Sequence, residues 1–319
     1  MLKIEVTLND ANQRFDRYLK KLFENAPLSA IYKNLRKKNF KINDKRAKKD
    51  DFVNKGDIIT MYISKDNYEK WTKDKKTHIF EEKLNVVYED ENLIIMDKPK
   101  GILSHSASKS DYGNNMLDYM LSYLYRTKAV NPKDKTFTPA LVNRLDRNTQ
   151  GLLIGAKNHE SLICLNKAIK NRLIDKYYLT ITKGKISKEY RSNLKISKNE
   201  NRNKVKADDD GLDIVTEFKP LEYKNGYSLV QCKLITGKTH QIRYSLKNNN
   251  TPIIGDRKYG DKHLNEMLYR KFKLKNQLLL AYKLKFNHIK GLEYLENKTF
   301  TSNQLEDFNK LKDMVFNEK

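Results

Sequence analysis

This chain has few cysteines and no long run of apolar residues. Cys164 and Cys232 are the only cysteines among 319 residues, too few for a disulfide framework or a four-thiolate zinc site. Both stand among apolar neighbours, so we expect buried thiols. No apolar run approaches the roughly 20 residues of a membrane-spanning helix, and the first residues lack the apolar core of a secretory signal. We therefore expect a cytoplasmic protein.

Several familiar catalytic motifs are also missing. Gly237-Lys238-Thr239 resembles the end of a phosphate-binding loop, but the glycine required earlier falls at Cys232. His159-Glu160 begins like a zinc-protease helix, yet Ile163 stands where the second histidine is needed. A Gly-x-Ser-x-Gly elbow is absent. These gaps disfavour a nucleotide triphosphatase, a zinc peptidase and a serine hydrolase, and we expect no metal site.

Positive charge is what the chain has in excess. It carries 64 Lys and Arg residues against 40 Asp and Glu, a formal net charge of +24. Such a surplus favours a polyanionic partner such as nucleic acid. A general Lys and Asn bias in composition would explain the surplus equally well if the charges were scattered. They are not scattered, because cations cluster between residues 33 and 49.

The cluster belongs to a predicted compact unit of about 65 residues. Apolar residues at helical spacing near Phe15–Phe23 and Ile31–Leu35 predict two helices, and the stretches 40–43 and 58–63 predict strands. Residues 12–63 resemble the S4 RNA-binding domain. The resemblance rests on four stretches: Arg14-Phe15-Asp16-Arg17-Tyr18-Leu19, Ile31-Tyr32-Lys33-Asn34-Leu35-Arg36-Lys37-Lys38, Ile42-Asn43-Asp44-Lys45-Arg46 and Asn54-Lys55-Gly56-Asp57. It implies phosphate contacts, for which the candidates are Arg14, Lys33, Arg36, Lys37 and Lys38.

The nonapeptide Asn143–Gly151 is the most informative stretch. It sets one carboxylate, Asp146, between Arg144 and Arg147 and directly before the apolar run 151–156. The turn formers after Asp146 place it on a loop that can present it to a cleft. On these residues alone, an aspartate that caps a turn and pairs with a neighbouring arginine explains the pattern equally well.

The second half of the chain predicts a largely antiparallel sheet. Strands are expected at 151–156, 177–181, 214–223 and 227–235, and Asn225-Gly226 is a strong hairpin signal between the last two. The polar stretch 196–211 is predicted to be a mobile surface loop. Thr301 with Gln304 predicts a capping box before a C-terminal helix.

Five stretches of the region 79–319 resemble the RluA-type family of RNA pseudouridine synthases. They are Asp97-Lys98-Pro99-Lys100-Gly101, the nonapeptide, Lys176-Tyr177-Tyr178-Leu179, Thr236–Arg243, and Pro252–Asp256 with Tyr259-Gly260. The resemblance implies that Asp146 is the catalytic nucleophile, that Tyr178 stacks on the target uracil, and that Arg243 pairs with Asp146. Arg144 is implied in displacing the flipped base. Without the resemblance, Tyr178 is explained as a core tyrosine and Arg243 as a surface residue on a strand.

Four positions depart from the commonest family pattern. Asn143 stands where His is frequent, Gln150 where Ser is frequent, Lys238 replaces Arg, and Ser245 replaces a His. None of them removes Asp146, Tyr178 or Arg243. The departures bear on the substrate and the subfamily.

The combined prediction is an α+β protein with two domains. Residues 1–64 form an S4-like RNA-binding domain, 65–78 a linker, and 79–319 a pseudouridine synthase domain with a mixed, mostly antiparallel sheet flanked by helices. The reaction is an isomerisation and needs no cofactor. We expect a monomer that acts on RNA, with 23S ribosomal RNA the first expected substrate and tRNA the second. A catalytically silent RNA-binding or ribosome-assembly factor of the same fold is the alternative. The covalent adduct forms at the sugar C1′ or at C6 of uracil, and the sequence does not decide which.

Overall fold

Two main sheets of different size organise the described part of the chain, and a third sheet has only two strands. The computed structural model describes residues 1–7, 9–72, 78–81, 84–132, 134, 136–199 and 204–318, and for 198 and 199 the backbone alone. The α-helices of these ranges are α1 Phe15–Leu22, α2 Leu28–Arg36, α3 Lys65–Trp71, α4 Met116–Arg126, α5 His159–Lys170, α6 Gln241–Asn248, α7 Lys262–Phe272 and α8 Leu305–Phe316.

The longest strands belong to the second half of the chain. The strands are β1 Leu2–Glu5, β2 Gln13–Arg14, β3 Phe40–Ile42, β4 Lys45–Arg46, β5 Phe52–Val53, β6 Ile58–Met61, β7 Asn85–Glu89, β8 Leu93–Lys98, β9 Ala140–Leu141, β10 Gln150–Ala156, β11 Ile174–Lys183, β12 Tyr190–Asn199, β13 Lys204–Ala207, β14 Leu212–Lys224, β15 Tyr227–Leu234, β16 Leu279–Phe286 and β17 Thr299–Thr301. The positions expected from the sequence are confirmed, with bounds shifted by a few residues.

The smaller sheet, in the order β1-β6-β3-β4, belongs to the N-terminal unit. Helix α1 places Phe15, Tyr18, Leu19 and Leu22 on one face, which is buried because these residues recur at helical spacing. They join one hydrophobic core with residues of α2, β3 and β6. This unit therefore has a core of its own.

Residues 65–71 were expected to lack regular structure and instead form helix α3. The Ser64 side chain accepts a hydrogen bond from the Asn67 N–H at 3.2 Å and caps the helix. Trp71 packs on Phe23 with ring centroids 5.5 Å apart, inside the N-terminal core. A seven-residue helix with one buried side chain has no apolar period, so its sequence did not reveal it. The rest of the predicted linker, apart from Thr72 and His78, lies outside the described residues.

The larger sheet runs in the order β13-β12-β14-β15-β11-β16-β10-β8-β7, with β17 on β16 and β9 on β10. Strands β10 and β16 are parallel, and the other pairs are antiparallel. The predicted mixed, mostly antiparallel sheet is thereby confirmed. Asn225 and Gly226 have φ of 50° and 81° and connect β14 to β15 as the predicted hairpin.

Three smaller expectations were wrong. Part of the predicted loop at 196–211 pairs as β12 and β13, where Ile196 and Val205 are buried behind the polar residues that dominated the pattern. Thr301 belongs to β17, and the Ser302 hydroxyl, rather than Thr301, accepts from the Gln304 N–H before α8. Cys232 is buried as expected, but Cys164 is only half-buried. Within the described ranges, no helix is both long and apolar enough to span a membrane.

Candidate active site

The loop between β9 and β10 presents Asp146. Leu145 is buried in the main core of the large sheet, and its N–H donates to the Ser104 hydroxyl at 3.0 Å. That hydroxyl donates back to the Leu145 carbonyl at 3.1 Å. The Thr149 N–H closes the turn on the Asp146 carbonyl at 3.0 Å. The Asp146 side chain is therefore fixed through its backbone while 24% of it stays exposed.

A buried lysine fixes the other side of this loop. The Lys98 ammonium donates to the carbonyls of Arg147, Pro99 and Ile102 at 2.8, 2.9 and 2.7 Å, which uses all three of its N–H groups. Burial lowers the pKa of Lys98 to about 7, and the nearby Asp146 charge opposes that decrease. The sequence placed Lys98 in a family motif but gave it no role.

Gly151 ends the loop where β10 meets β16. Its φ is +113°, and a Cβ built on it would lie 2.3 Å from the Ala281 carbonyl oxygen. Only glycine allows this approach of two backbones. The conformation brings the end of the Asp146 loop onto the central strands.

Tyr178 lies on β11, beside a register shift in the pairing of β11 with β16. Such an irregularity re-aims side chains next to active sites. Tyr178 is 6% exposed and belongs to the same core as Leu145 and Ile242. Burial raises its pKa, and the charge of Asp146 raises it further. The phenol therefore stays protonated at neutral pH, which disfavours Tyr178 as a base. Its aromatic ring remains as the group that can contact a substrate.

Arg243 lies on helix α6 and is buried, which excludes the alternative of a surface residue on a strand. Its Nη1 donates to Asp146 Oδ2 at 2.9 Å, as the resemblance implied. Its Nε and Nη2 donate to the two carboxylate oxygens of Asp256 at 2.7 and 2.9 Å. Burial opposes the charge of Arg243, but Asp256 and Asp146 outweigh burial and raise its pKa.

Asp256 is the residue that sequence reasoning missed. Its side chain is fully buried, and its Oδ1 also accepts the N–H groups of Lys258 and Tyr259 at 2.8 and 3.1 Å. Burial acts to raise the pKa of Asp256, but the Arg243 guanidinium and these N–H groups together lower it. The Pro252–Asp256 motif was the available signal, since an aspartate directly after a glycine in a family motif is a candidate partner for a buried arginine.

His240 and Gln241 surround this cluster. His240 has a left-handed backbone with φ 57° at the start of α6, and its Nε2 lies 3.8 Å from Asp146 Oδ2. Burial lowers the pKa of His240 to about 4, so the ring is neutral at pH 7. The Gln241 amide oxygen accepts from the Thr236 hydroxyl and the Lys238 N–H. Its NH2 group donates to the Thr216 hydroxyl and the Val215 carbonyl. Gln241 therefore holds the shape of the motif.

The resulting arrangement is a partly exposed carboxylate beside a buried guanidinium. Leu145, Tyr178 and Ile242 share one hydrophobic core, so packing brings the Asp146 loop, β11 and α6 together. Both neighbouring groups approach the same oxygen of Asp146. Arg243 Nη1 and His240 Nε2 each lie nearest to Oδ2. The other oxygen, Oδ1, accepts no hydrogen bond from the described part of the chain. This is the geometry of a carboxylate held by one oxygen and free to react through the other.

Comparison with known proteins identifies the family. Residues 92–248, which include Asp146, Tyr178 and Arg243, match the family model described as RNA pseudouridylate synthase. An uncharacterized RNA pseudouridine synthase of Mycoplasma capricolum is 36% identical, over 95% of this chain and 98% of its own. The chain belongs to the RNA pseudouridine synthase family.

Two further relatives support the assignment. Ribosomal large subunit pseudouridine synthase C of Buchnera aphidicola is 32% identical over 90% of both chains. The protein of the same name from Rickettsia felis is 33% identical over 86% of this synthase and 90% of its own chain. The solved structure of human RNA Pseudouridylate Synthase Domain Containing 4 has a TM-score of 0.58 at 19% identity, covering 72% of this synthase and 92% of that chain. That structure supports the fold.

The remaining predicted residues of the synthase lie at the surface. Arg144 is exposed, and Arg147 is exposed and pairs with Asp111 at 3.4 Å, not with Asp146. Arg14 donates to Asp16 and Asp50 at 3.1 and 2.6 Å. The four other predicted S4 contacts are exposed side chains on α2 and just after it, namely Lys33, Arg36, Lys37 and Lys38.

The hydrogen-bond surroundings of two departures from the family pattern, Asn143 and Ser245, are seen in this synthase. The Asn143 amide donates to the Leu152 carbonyl at 3.3 Å and accepts the Ile154 N–H at 2.8 Å, so Asn143 bridges to β10. Ser245 is buried on α6, and its hydroxyl has no hydrogen-bond partner among the described residues. Asn143 therefore supports the strand after the Asp146 loop.

Proposed function

We propose that this synthase isomerises uridines to pseudouridine in the RNA of the large ribosomal subunit, with Asp146 as the nucleophile. The observation that carries the proposal is the Asp146 carboxylate, which is partly exposed, held by Arg243 and surrounded by the matched family region. The relatives from Buchnera and Rickettsia are named for the large ribosomal subunit and align along 90% of their own length. Their names support large-subunit ribosomal RNA, so 23S rRNA is the first proposed substrate, and tRNA stays the second.

The reaction explains why a fixed carboxylate is needed. The N1–C1′ bond breaks, the uracil turns, C5 bonds to C1′, and the proton lost from C5 is balanced by one gained at N1. The nucleotide must first leave its stack. A pocket around it is dry and disfavours a charged carboxylate, whereas Asp146 must be ionised to attack. The Arg243 guanidinium counteracts this effect and cannot itself deprotonate.

Tyr178 is proposed to support the uracil through its ring. Its place in the core beside Leu145 and the raised pKa of its phenol favour a stacking surface over proton transfer. Because burial fixes the ring, contact with the base costs little side-chain entropy. We propose Arg144, exposed on the Asp146 loop, as the group that displaces the flipped base.

We further propose that the N-terminal unit is an S4-like RNA-binding domain. Its two helices pack on a small sheet, and the exposed Lys33, Arg36, Lys37 and Lys38 form one cationic surface. Their contacts with phosphates would position the RNA without reading its sequence. Arg14 is the weakest of the proposed contacts, because two carboxylates already bind its guanidinium.

Release of tritium from C5-labelled uridine in RNA tests the nucleophile. Asp146→Asn should abolish release, while Asp307→Asn, on an exposed aspartate of α8, should release tritium at the wild-type rate. Release by Asp146→Asn would disprove the role of Asp146. If the wild-type protein releases none from any cellular RNA, the alternative of a silent binding factor is supported instead.

Mapping pseudouridines in cells that lack the protein tests the substrate. Sites missing from large-subunit rRNA, and restored by the wild-type gene but not by Asp146→Asn, would support the proposal. Sites missing only from tRNA would overturn the rRNA assignment and leave the reaction class intact.

Charge reversal tests the cationic surface. Replacing Lys33, Arg36, Lys37 and Lys38 with Glu should raise KM and reduce the salt dependence of RNA binding by a slope of up to about 4. The matched control reverses three lysines and one arginine that are exposed on other helices, Lys167, Lys170, Lys262 and Arg270. Equal losses of RNA binding in both quadruple variants would show a non-specific charge effect and refute the proposed S4-like contacts with RNA.

A further inference from the structure

Tyr259 contacts both groups that face the Asp146 carboxylate. The Arg243 guanidinium lies 5.2 Å from the centre of the Tyr259 ring, and the Tyr259 hydroxyl lies 2.9 Å from Nδ1 of His240. The His240 ring packs edge-on against the Tyr259 ring at 5.5 Å. Tyr259 is 9% exposed and His240 is 7% exposed, so this contact is shielded from water.

The hydrogen bonds around the Tyr259 hydroxyl have a direction. The Val205 N–H donates to the Tyr259 oxygen at 2.8 Å. The hydroxyl proton is then free to donate, and His240 Nδ1 is the acceptor that the described residues offer. If Nδ1 instead carried the proton, the Tyr259 oxygen would receive two donors and its own buried proton would have no partner, which proteins rarely tolerate.

The other ring nitrogen of His240 supports the same direction. Nε2 lies 3.8 Å from Asp146 Oδ2, the oxygen that also accepts from Arg243. A protonated Nε2 attracts the carboxylate, whereas a bare Nε2 would set a lone pair against it. Which nitrogen of a neutral histidine is protonated is fixed by the partner of the other nitrogen.

We propose that Tyr259 holds neutral His240 with its proton on Nε2, so that His240 is a second hydrogen-bond donor to Asp146 beside Arg243. At 3.8 Å the contact is longer than a hydrogen bond, so the donor role requires Asp146 to approach His240 during the reaction. Tyr259 and His240 are thus positioning residues, and His240 cannot accept a proton through Nε2. The kinetic part of this inference rests on the proposed nucleophile role of Asp146.

The tautomer is measured directly by long-range ¹H–¹⁵N NMR of the full chain labelled with ¹⁵N-histidine at pH 7. His240→Gln assigns the His240 signals among the six histidines. The wild-type ring should carry its proton on Nε2. In Tyr259→Phe the bare Nδ1 should lose the chemical-shift change that accepting the Tyr259 hydroxyl gives it. Tyr244→Phe is the matched control, because that ring packs against Tyr259 at 6.1 Å. A wild-type ring protonated on Nδ1, or an Nδ1 signal unchanged in Tyr259→Phe, would overturn the proposal.

Single-turnover kinetics on RNA tests the role of the donor. His240→Met, which has no donor, and Tyr259→Phe should each slow the rate about 10- to 100-fold with KM unchanged, as expected for a lost hydrogen bond to a charged group. His240→Gln keeps a donor and should recover part of the rate. Equal rates in His240→Gln and His240→Met would contradict the donor role. The NMR result stands on its own even if the wild-type protein proves inactive on ribosomal RNA, so the two failures are distinguishable.

Discussion

Asp256 accepts two hydrogen bonds from the guanidinium of Arg243, one at each carboxylate oxygen, at 2.7 and 2.9 Å. This pairing orients the remaining Nη1 toward Asp146. A planar guanidinium held at two nitrogens cannot rotate. Asp256 therefore sets the orientation of the charged group that faces the candidate nucleophile, although Asp256 does not contact the nucleophile.

Replacing Asp256 with Asn should weaken both stability and catalysis. Removing one partner of a buried ion pair costs about 3 kcal/mol, so urea denaturation should show a loss of that order. The turnover rate of the folded variant should fall at least about tenfold, because Arg243 loses its orientation. Asp307→Asn, at an exposed ion pair, is the control. A variant with wild-type kcat would show that Asp256 does not orient Arg243.

Lys98→Met should destabilise the Asp146 loop. The substitution keeps an unbranched apolar side chain but leaves the carbonyls of Pro99 and Ile102 without their donor. The Arg147 carbonyl loses Lys98 but keeps the Gly101 N–H at 3.0 Å. Unpaired buried acceptors cost about 1 kcal/mol or more each, so a loss of about 2 kcal/mol in the free energy of unfolding is expected. Lys170→Met, on an exposed lysine of α5, should change it little. Equal stability of the two variants would contradict the structural role of Lys98.

Gly151→Ala should be among the most damaging small substitutions. The added Cβ would meet the Ala281 carbonyl oxygen at 2.3 Å, at a backbone φ of +113°, and a clash with backbone in a strained conformation costs about 3 kcal/mol or more. Gly237→Ala is the matched control, since the nearest atom to its Cβ is the Lys176 ammonium at 3.6 Å. Thermal unfolding compares the two, and similar Tm values would refute the close approach of β10 and β16.

Acidification should reveal the buried neutral His240. Unfolded histidine gains its proton near pH 6.5, while burial lowers the pKa of folded His240 to about 4. Between these values the unfolded chain binds more protons, so stability falls as the pH falls. Asp146 and Asp256 favour the proton on His240, and Arg243 and Lys258 oppose it.

The measurement is urea denaturation at pH 7, 6 and 5. The wild-type protein should lose on the order of 2 kcal/mol more than His240→Gln over this range, because glutamine does not titrate. Parallel curves for the two proteins would show that folded His240 binds its proton over the same pH range as in the unfolded chain, and would contradict the lowered pKa.

The sequence by itself determined the family, the candidate catalytic residues and most of the sheet. Asp146, Tyr178 and Arg243 stand in short stretches that resemble one family, and the comparisons confirmed that family. Alternating and continuous apolar runs marked the strands, and Asn225-Gly226 marked a hairpin because few residues adopt positive φ at both turn positions. These signals depend only on residues close together in the sequence, so a single sequence is enough to recognise them.

The tertiary structure alone decided which groups act together. Six consecutive residues of α6, Gln241 to Leu246, are buried, and a local sequence pattern does not show that a short helix is covered on every face. Asp256 reaches Arg243, and Tyr259 reaches His240, only because the chain folds back on α6 after residue 251. Burial then sets the protonation of Tyr178, His240 and Lys98. Desolvation depends on every neighbour in space, and the order of residues along the chain does not contain that information.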